Sequence, residues 1–464
     1  MWVSEREFGV TECISNSTSY DDFAKILRAQ VGEGEQALRF VVTKSEKSGF
    51  RGEVLILHSA DTASSALTDL LSINRRTFED TSSFNTVLVV PTGIGSEIGG
   101  HAGDAGPLAK LFGAISDSVI THPNVVNASD INEMPSNTHY VEGSILSRLL
   151  LGTISLQPVR NNRVLVIVDE HQDPSFTNAA INSVNGARAT YGLDCPEILR
   201  LSSKMKMKVS YSSSGRATGE VSNFEGLLNV LRRRRGEYDA IALSTIIDVP
   251  AQFHQQYFDS QGAMINPWGG VEAMLTHMLS TQLDVPTAHS PMFEAREIAN
   301  ADPGIVDSRM AAEAVSYTFL QCILKGLQKS PKVVTGAQLG MPGLIDVTNI
   351  SCLVIPDKCI GLPTLAALDQ GIPVIAVREN ANLLENDLSS LPWKPNQLLL
   401  VDNYLEAAGV VAAMRAGIAP GSVRRPFGFA PTATYKGVDF SELQTRVTDG
   451  DSKPLEAGVK VTTL

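Results

Sequence analysis

The sequence predicts an α/β protein made of parallel-sheet βαβ units in two Rossmann-like domains, with a small α+β unit at the N-terminus. Three observations predict it. Short, continuous apolar runs recur at residues 87–90, 163–169, 238–244, 350–356 and 373–377, with a weaker case at 398–401; this is the pattern of parallel strands buried on both faces. Helical stretches lie between the runs, as right-handed crossovers require. The first run also leads straight into a glycine-rich loop and then a helical pattern from Leu108, and strand, glycine loop, helix is a ligand-binding arrangement in α/β folds.

Taken in chain order, residues 1–84 form the first unit. Apolar positions at helical spacing over 21–31, after a serine-rich start at 15–19, read as a helix. The β-rich runs 37–43 and 53–58, joined by a polar turn around Gly49, read as a hairpin, and 64–73 as a second helix. Residues 85–235 form the first α/β unit and 236–425 the second, with a boundary that composition marks weakly. The stretch 426–464, rich in Gly, Pro, Thr and Asp, reads as irregular. No short-period repeat is present.

Composition narrows the function. A chain of 464 residues with 43% hydrophobic and 19% charged residues is globular and can bury a sizeable core. Its formal net charge of −12 argues against nucleic acid or anionic membrane as the main partner, since both need a basic face. The basic run 232–235 reads as the solvated C-terminal end of a helix, with phosphate binding as the alternative. Five scattered cysteines imply no disulfide framework. No apolar run approaches the ~20 residues of a membrane helix, and the first residues lack signal-peptide character, so the expected location is cytoplasmic. A homo-oligomer remains open.

The glycine loop, Pro91-Thr-Gly-Ile-Gly-Ser-Glu-Ile-Gly-Gly-His-Ala-Gly-Asp-Ala-Gly-Pro107, is the leading candidate site. Glycine permits positive φ and close backbone approach, so Thr92, Gly93, Gly95, Gly99 and Gly100 are expected to cradle an anion; a tight structural turn is the alternative. The loop lacks the lysine of a phosphate-binding P-loop. It also fits the dinucleotide fingerprint poorly, because Ile98 stands where the third glycine belongs. It carries His101 and Asp104, which proton transfer would use.

Downstream, Ile120-Thr-His-Pro-Asn-Val-Val-Asn127 crowds His122, Asn124 and Asn127 together, followed by Glu142; His122 and Glu142 join His101 and Asp104 as candidates to move protons, and Arg148 could clamp an anion bidentately. Loop caps and a surface arginine are the plain alternatives. The strand-like Val166-Ile-Val-Asp-Glu-His171 ends on two acids and a histidine where parallel strands face a ligand crevice; His171 is the candidate, and a helix cap at Asp169 or Asp173 the alternative. Further on, residues 247–250 with His254, 266–272, 288–291 with Glu294, and 306–309 with Glu313 read individually as caps, turns or loop-to-helix junctions. The stretch 266–272, with Trp268 and Glu272, and His289 stand out among them, Trp268 and His289 as candidate substrate contacts. Lys358, in the loop of a compact βαβ unit, is a candidate anion contact, whereas neighbouring Cys359 reads as buried and inert rather than nucleophilic. His101, Asp104, His122 and His171 could converge on a divalent ion, but no paired metal-ligand spacing supports it. No cofactor is therefore expected, and no Gly-x-Ser-x-Gly elbow points to serine hydrolysis.

The combination of Pro91-Thr-Gly-Ile-Gly95, Gly99-Gly-His-Ala-Gly-Asp104, Thr121-His-Pro-Asn-Val-Val-Asn127 and Tyr140-Val-Glu-Gly143 resembles the family catalogued as domain of unknown function 3326. The stretch from Cys359-Ile-Gly-Leu-Pro363 to Val377 fits it too, so the likeness runs over about 85–425. It implies no activity. The residues themselves point first to cofactor-independent acid–base catalysis, of lyase, isomerase or cyclase type, on a small anionic metabolite. The alternatives are a metal- or nucleotide-dependent hydrolase or transferase, and a non-catalytic metabolite-binding protein.

Overall fold

The computed structural model describes residues 1–14, 19–59, 70–127, 131–316, 319–426, 428–430 and 462–463. Its organising element is a parallel sheet with strand order Thr462–Thr463, Leu398–Val401, Val374–Val377, Ile350–Pro356, Asn85–Leu88, Ser118–Thr121 and Thr138–Tyr140. Its central strands are apolar along their length because helices cover both faces, and Val87, Leu88, Leu353, Val354, Ile375 and Ala376 are all fully buried. A second parallel sheet has the order Thr287–Met292, Ala240–Ile246, Val164–Asp169, Ile198–Leu201. An antiparallel sheet of six strands completes the framework: Lys206–Tyr211, Ala217–Ser222, Trp2–Val10, Gly49–His58, Glu35–Glu46 and Ile360–Gly361.

The α/β class and the strand positions therefore follow the apolar runs. Ile350–Pro356 and Leu398–Val401 match to the residue, and the expected hairpin is Glu35–Glu46 paired with Gly49–His58. The first helix is Tyr20–Arg28, and Arg232 and Arg233 close the helix Glu225–Arg233 as expected. Residues 60–69, which carry most of the second expected N-terminal helix, lie outside the described residues, as do most of 426–464.

Two features depart from the expected layout. Residues 287–292 form a strand rather than a loop-to-helix junction. Thr-Ala-His-Ser-Pro-Met lacks an apolar run, yet it sits at the sheet edge, where proline removes no needed ladder bond. The sheets also run across the expected unit boundaries. Trp2–Val10 pairs with Ala217–Ser222, Ala240–Ile246 pairs with Val164–Asp169, and Ile350–Pro356 returns to pair with Asn85–Leu88. Apolar periodicity finds strands but carries no information on which partner each one chooses.

The helix Pro267–Leu283 is the hinge of this arrangement. It packs on Ala217–Ser222, on Thr287–Met292 and on the helix Gly143–Leu150, and most of its side chains are buried. Its C-terminal residue Asp284 takes the αL conformation and pairs with Arg148 at 2.6 Å. That ion pair ties the helix Gly143–Leu150, which follows the first sheet, to the helix that feeds the second.

Candidate active site

A cavity of about 640 Å³ lies where the carboxyl ends of the two parallel sheets meet. Thr92, Gly93, His122 and Glu142 reach it from loops that leave the first sheet, and Ile247, Ala288, His289 and Met292 from the second. Trp268, Glu272, Thr276 and His277 present one face of the helix Pro267–Leu283, at the i, i+4, i+8 spacing of a helical stripe. Five of the eight histidines line the space: His101, His122, His254, His277 and His289. No lysine or arginine appears among its described lining residues.

The tightest arrangement is Glu142 with His277. Glu142 caps the helix Gly143–Leu150 by accepting from Ser144 N at 2.9 Å and from the Ser144 hydroxyl, which fixes the carboxylate. Its Oε1 lies 2.5 Å from His277 Nδ1. Burial pushes the Glu142 carboxyl up, but His277 and the Ser144 donors more than offset it, so the group is held below its ordinary value. Gly143 makes the approach possible: a Cβ there would stand 2.9 Å from His277 Cε1. The Nε2 of His277 has no protein partner among the described residues, and the ring lines the cavity.

His122 adjoins this pair. Its Nε2 accepts the backbone N–H of Val90 at 3.2 Å, so the ring proton of the neutral form sits on Nδ1. Burial pushes the imidazole down to about 4, with Glu142 opposing and His277 adding to the fall. Across the cavity, His289 Nδ1 lies 3.0 Å from Glu272 Oε1, and its Nε2 meets the Thr245 hydroxyl at 2.8 Å. Both ring nitrogens of His289 are thus engaged, so this residue orients Glu272 rather than standing free.

A third network closes the glycine-loop side. The Tyr257 hydroxyl meets His101 Nδ1 at 2.6 Å, and Glu313 Oε1 accepts from Ala102 N at 2.6 Å and from Asn266 Nδ2 at 2.9 Å. Burial raises Glu313, and burial followed by the nearby Arg309 charge lowers His101. Asn266 also caps the helix Pro267–Leu283 through Trp268 N and Gly269 N.

The sequence candidates divide accordingly. Thr92, Gly93, Gly100, His101, His122, Asn124, Asn127, Glu142, Trp268 and His289 all line the cavity. Within it, Asn124 braces the glycine loop by donating to Val90 O and Gly99 O, and Asn127 accepts from the Tyr140 hydroxyl. Gly95 and Gly99 shape the loop from behind the lining. Asp104 is likewise behind it, accepting from Gly99 N at 2.9 Å. His171 is not among the lining residues: its Nδ1 accepts from Asp173 N and its Nε2 donates to Glu294 O.

The two expected anion clamps are elsewhere. The Arg148 side chain is fully buried against Asp284, because its leucine-rich helix turns that face inward. Lys358 takes a positive φ in a turn held by Asn386 and does not line the cavity. Cys359 is buried, which pushes its thiol up and away from nucleophilic use. Among the described residues no group of three or more His, Cys, Asp or Glu side chains is placed to hold a metal ion.

His277 carries no candidate role in the sequence reading; Glu272 falls within the singled-out stretch 266–272, and Glu313 within a loop-to-helix junction. The signal was present for the first two: Glu272, Thr276 and His277 interrupt the otherwise apolar, small-residue pattern of the helix Pro267–Leu283 on one face. A polar stripe on a buried helix needs partners or a ligand.

The profile of the family described as protein of unknown function (DUF3326) matches residues 85–424. The chain belongs to that family. Every lining residue named above falls inside the matched span. A relative from Synechococcus sp., described as an uncharacterized lipoprotein, is 31% identical over 344 residues, covering 74% of this chain and 93% of the relative. No helix among the described residues is long and apolar enough to cross a membrane. The search of solved structures returned no match.

Proposed function

We propose that the cavity is the active site of an enzyme working by acid–base chemistry of lyase, isomerase or cyclase type, with His277 as the group that moves the proton. The carrying observation is the Glu142–His277 ion pair, with the carboxylate held by Ser144, its Oε1 2.5 Å from Nδ1, and Nε2 without a protein partner on a ring that lines the cavity. A buried carboxylate behind an imidazole holds the ring orientation and stabilises the imidazolium formed when Nε2 takes a proton. Glu272, oriented by His289, supplies a second carboxylate on another wall of the same space. The substrate is a small polar metabolite, in keeping with the cavity volume. Neither Arg148 nor Lys358 reaches the cavity, so an anionic group would be met by neutral donors, from the glycine-loop backbone and the lining side chains, rather than by a cation.

The test is turnover by the purified chain in D2O. It is incubated with small carbonyl, hydroxy and amino compounds, and products and solvent deuterium uptake are followed by NMR. The expected result is turnover of at least one compound, reduced about 100-fold or more by His277→Ala and similarly by Glu142→Gln. Turnover that survives His277→Ala unchanged contradicts the assignment.

A further inference from the structure

The Glu142–His277 reading leaves His122 without a role, and the geometry of this ring points to one. We infer that His122 donates a hydrogen bond from Nδ1 to a substrate carbonyl oxygen, so that the site takes carbonyl compounds carrying a removable proton on the adjacent carbon. This rests on the acid–base reading and specifies its substrate class.

The strand Ser118–Thr121 ends at His122, and the neighbouring strand Asn85–Leu88 continues as Val89 and Val90. Val90 N donates to His122 Nε2, which assigns that nitrogen as the acceptor and leaves the proton on Nδ1. The ring is 7% exposed, and that exposure faces the cavity it lines. Nδ1 has no protein partner among the described residues. An N–H donor that faces the cavity without a protein partner is free to donate to an acceptor on a ligand.

The surroundings set what the ring can do. Glu142 and His277 are the ionisable groups that act on it, and the imidazole stays neutral because burial outweighs the Glu142 charge. A neutral imidazole is a donor that does not surrender its proton, which suits the stabilisation of a developing oxyanion. The step balances without a further reactant. His277 Nε2 takes the proton from the carbon next to the carbonyl, and the C–H electron pair forms the C=C bond of an enolate. The carbonyl π pair moves onto the oxygen, which accepts from His122 Nδ1. Return of the proton to the same carbon gives exchange. Where that carbon carries a hydroxyl, passage of the hydroxyl proton to the first carbonyl oxygen and return of the carbon proton to the former carbonyl carbon gives isomerisation. Re-formation of the carbonyl with departure of a group from the next carbon, taking its electron pair, gives elimination.

The probes are hydroxyacetone, dihydroxyacetone and glyceraldehyde as one panel, with hydroxy and amino compounds lacking a carbonyl as the other, each incubated with the full chain in D2O. Exchange of the hydrogen beside the carbonyl is expected in the first panel. It is expected to fall about 100-fold in His122→Ala, the usual loss when one oxyanion donor is removed, and less in His122→Gln, which keeps a donor. His277-dependent exchange that changes by no more than about twofold in His122→Ala overturns the inference and leaves the acid–base reading intact. Turnover confined to the panel without carbonyls does the same. Exchange independent of His277 overturns the reading itself, and no turnover in either panel counts against both. Because His122→Ala also strands Val90 N–H, the wild-type ring gives a second check by 15N NMR: at about pH 6 the proton is expected on Nδ1 alone, and a proton on Nε2 overturns the inference.

Discussion

At the residue scale the site depends on where protons are held. Asp104 shows this behind the glycine loop. Burial, reinforced by Glu313, pushes its carboxyl up to about 7 from an ordinary value of 3.8, against the amides of Gly99 and His101 that favour the charged form. A raised carboxyl binds its proton more tightly in the folded state. The fold is therefore favoured most below the unfolded value, and that contribution is lost as pH rises toward 7. Asp104→Asn keeps an acceptor for Gly99 N and removes the charge. Denaturant unfolding is expected to show the variant more stable than wild type by up to ~2 kcal/mol at about pH 8, with the difference vanishing near pH 4. Equal stabilities at both pH values would contradict the assignment. His122 works in the opposite sense, since a depressed imidazole costs stability as pH falls from its unfolded range toward 4.

At the element scale the glycine loop is a shaped object rather than a flexible one. Gly99 has φ +84°, and a Cβ there would stand 2.6 Å from Val90 Cγ1, on the residue whose amide fixes His122. Gly99→Ala should lower stability by about 2 kcal/mol or more in thermal or denaturant unfolding, and should displace His122 as well. A variant as stable as wild type would show that the loop is free to move. This loop and the strands before it were legible in the sequence, because glycine density and continuous apolar runs are local signals. The polar stripe that carries His277 was legible, but its pairing with Glu142 was not, because that partner is remote in sequence. Thr287–Met292 was not legible either: an edge strand carrying proline and histidine has no apolar run to announce it.

At the scale of the whole molecule the chain interleaves its sheets, and the cavity sits where their carboxyl ends converge. Sequence pattern gave the α/β class, but pairing of residues 85–88 with 350–356 is a long-range choice that periodicity does not encode. The same limit misplaced Arg148. Its sequence context suggested an anion clamp, whereas its guanidinium is enclosed and bonded to Asp284 across two helices. Asp284→Asn retains the αL-tolerant shape and removes the counter-charge. It should destabilise the protein by ~2 kcal/mol or more in denaturant unfolding, since an enclosed cation is left uncompensated, while the substrate range should stay as it is. Loss of ligand binding with unchanged stability would instead support the clamp.

The central claim is that the His277 imidazole transfers the proton, and chemical rescue tests it most directly. His277→Ala removes the ring beside Gly143 and leaves Glu142 facing the vacated space. With a compound that wild type turns over, added imidazole should restore a substantial part of the lost rate to His277→Ala, in proportion to its free-base concentration, and should do much less for Glu142→Gln. Full activity in His277→Ala without imidazole would contradict the account.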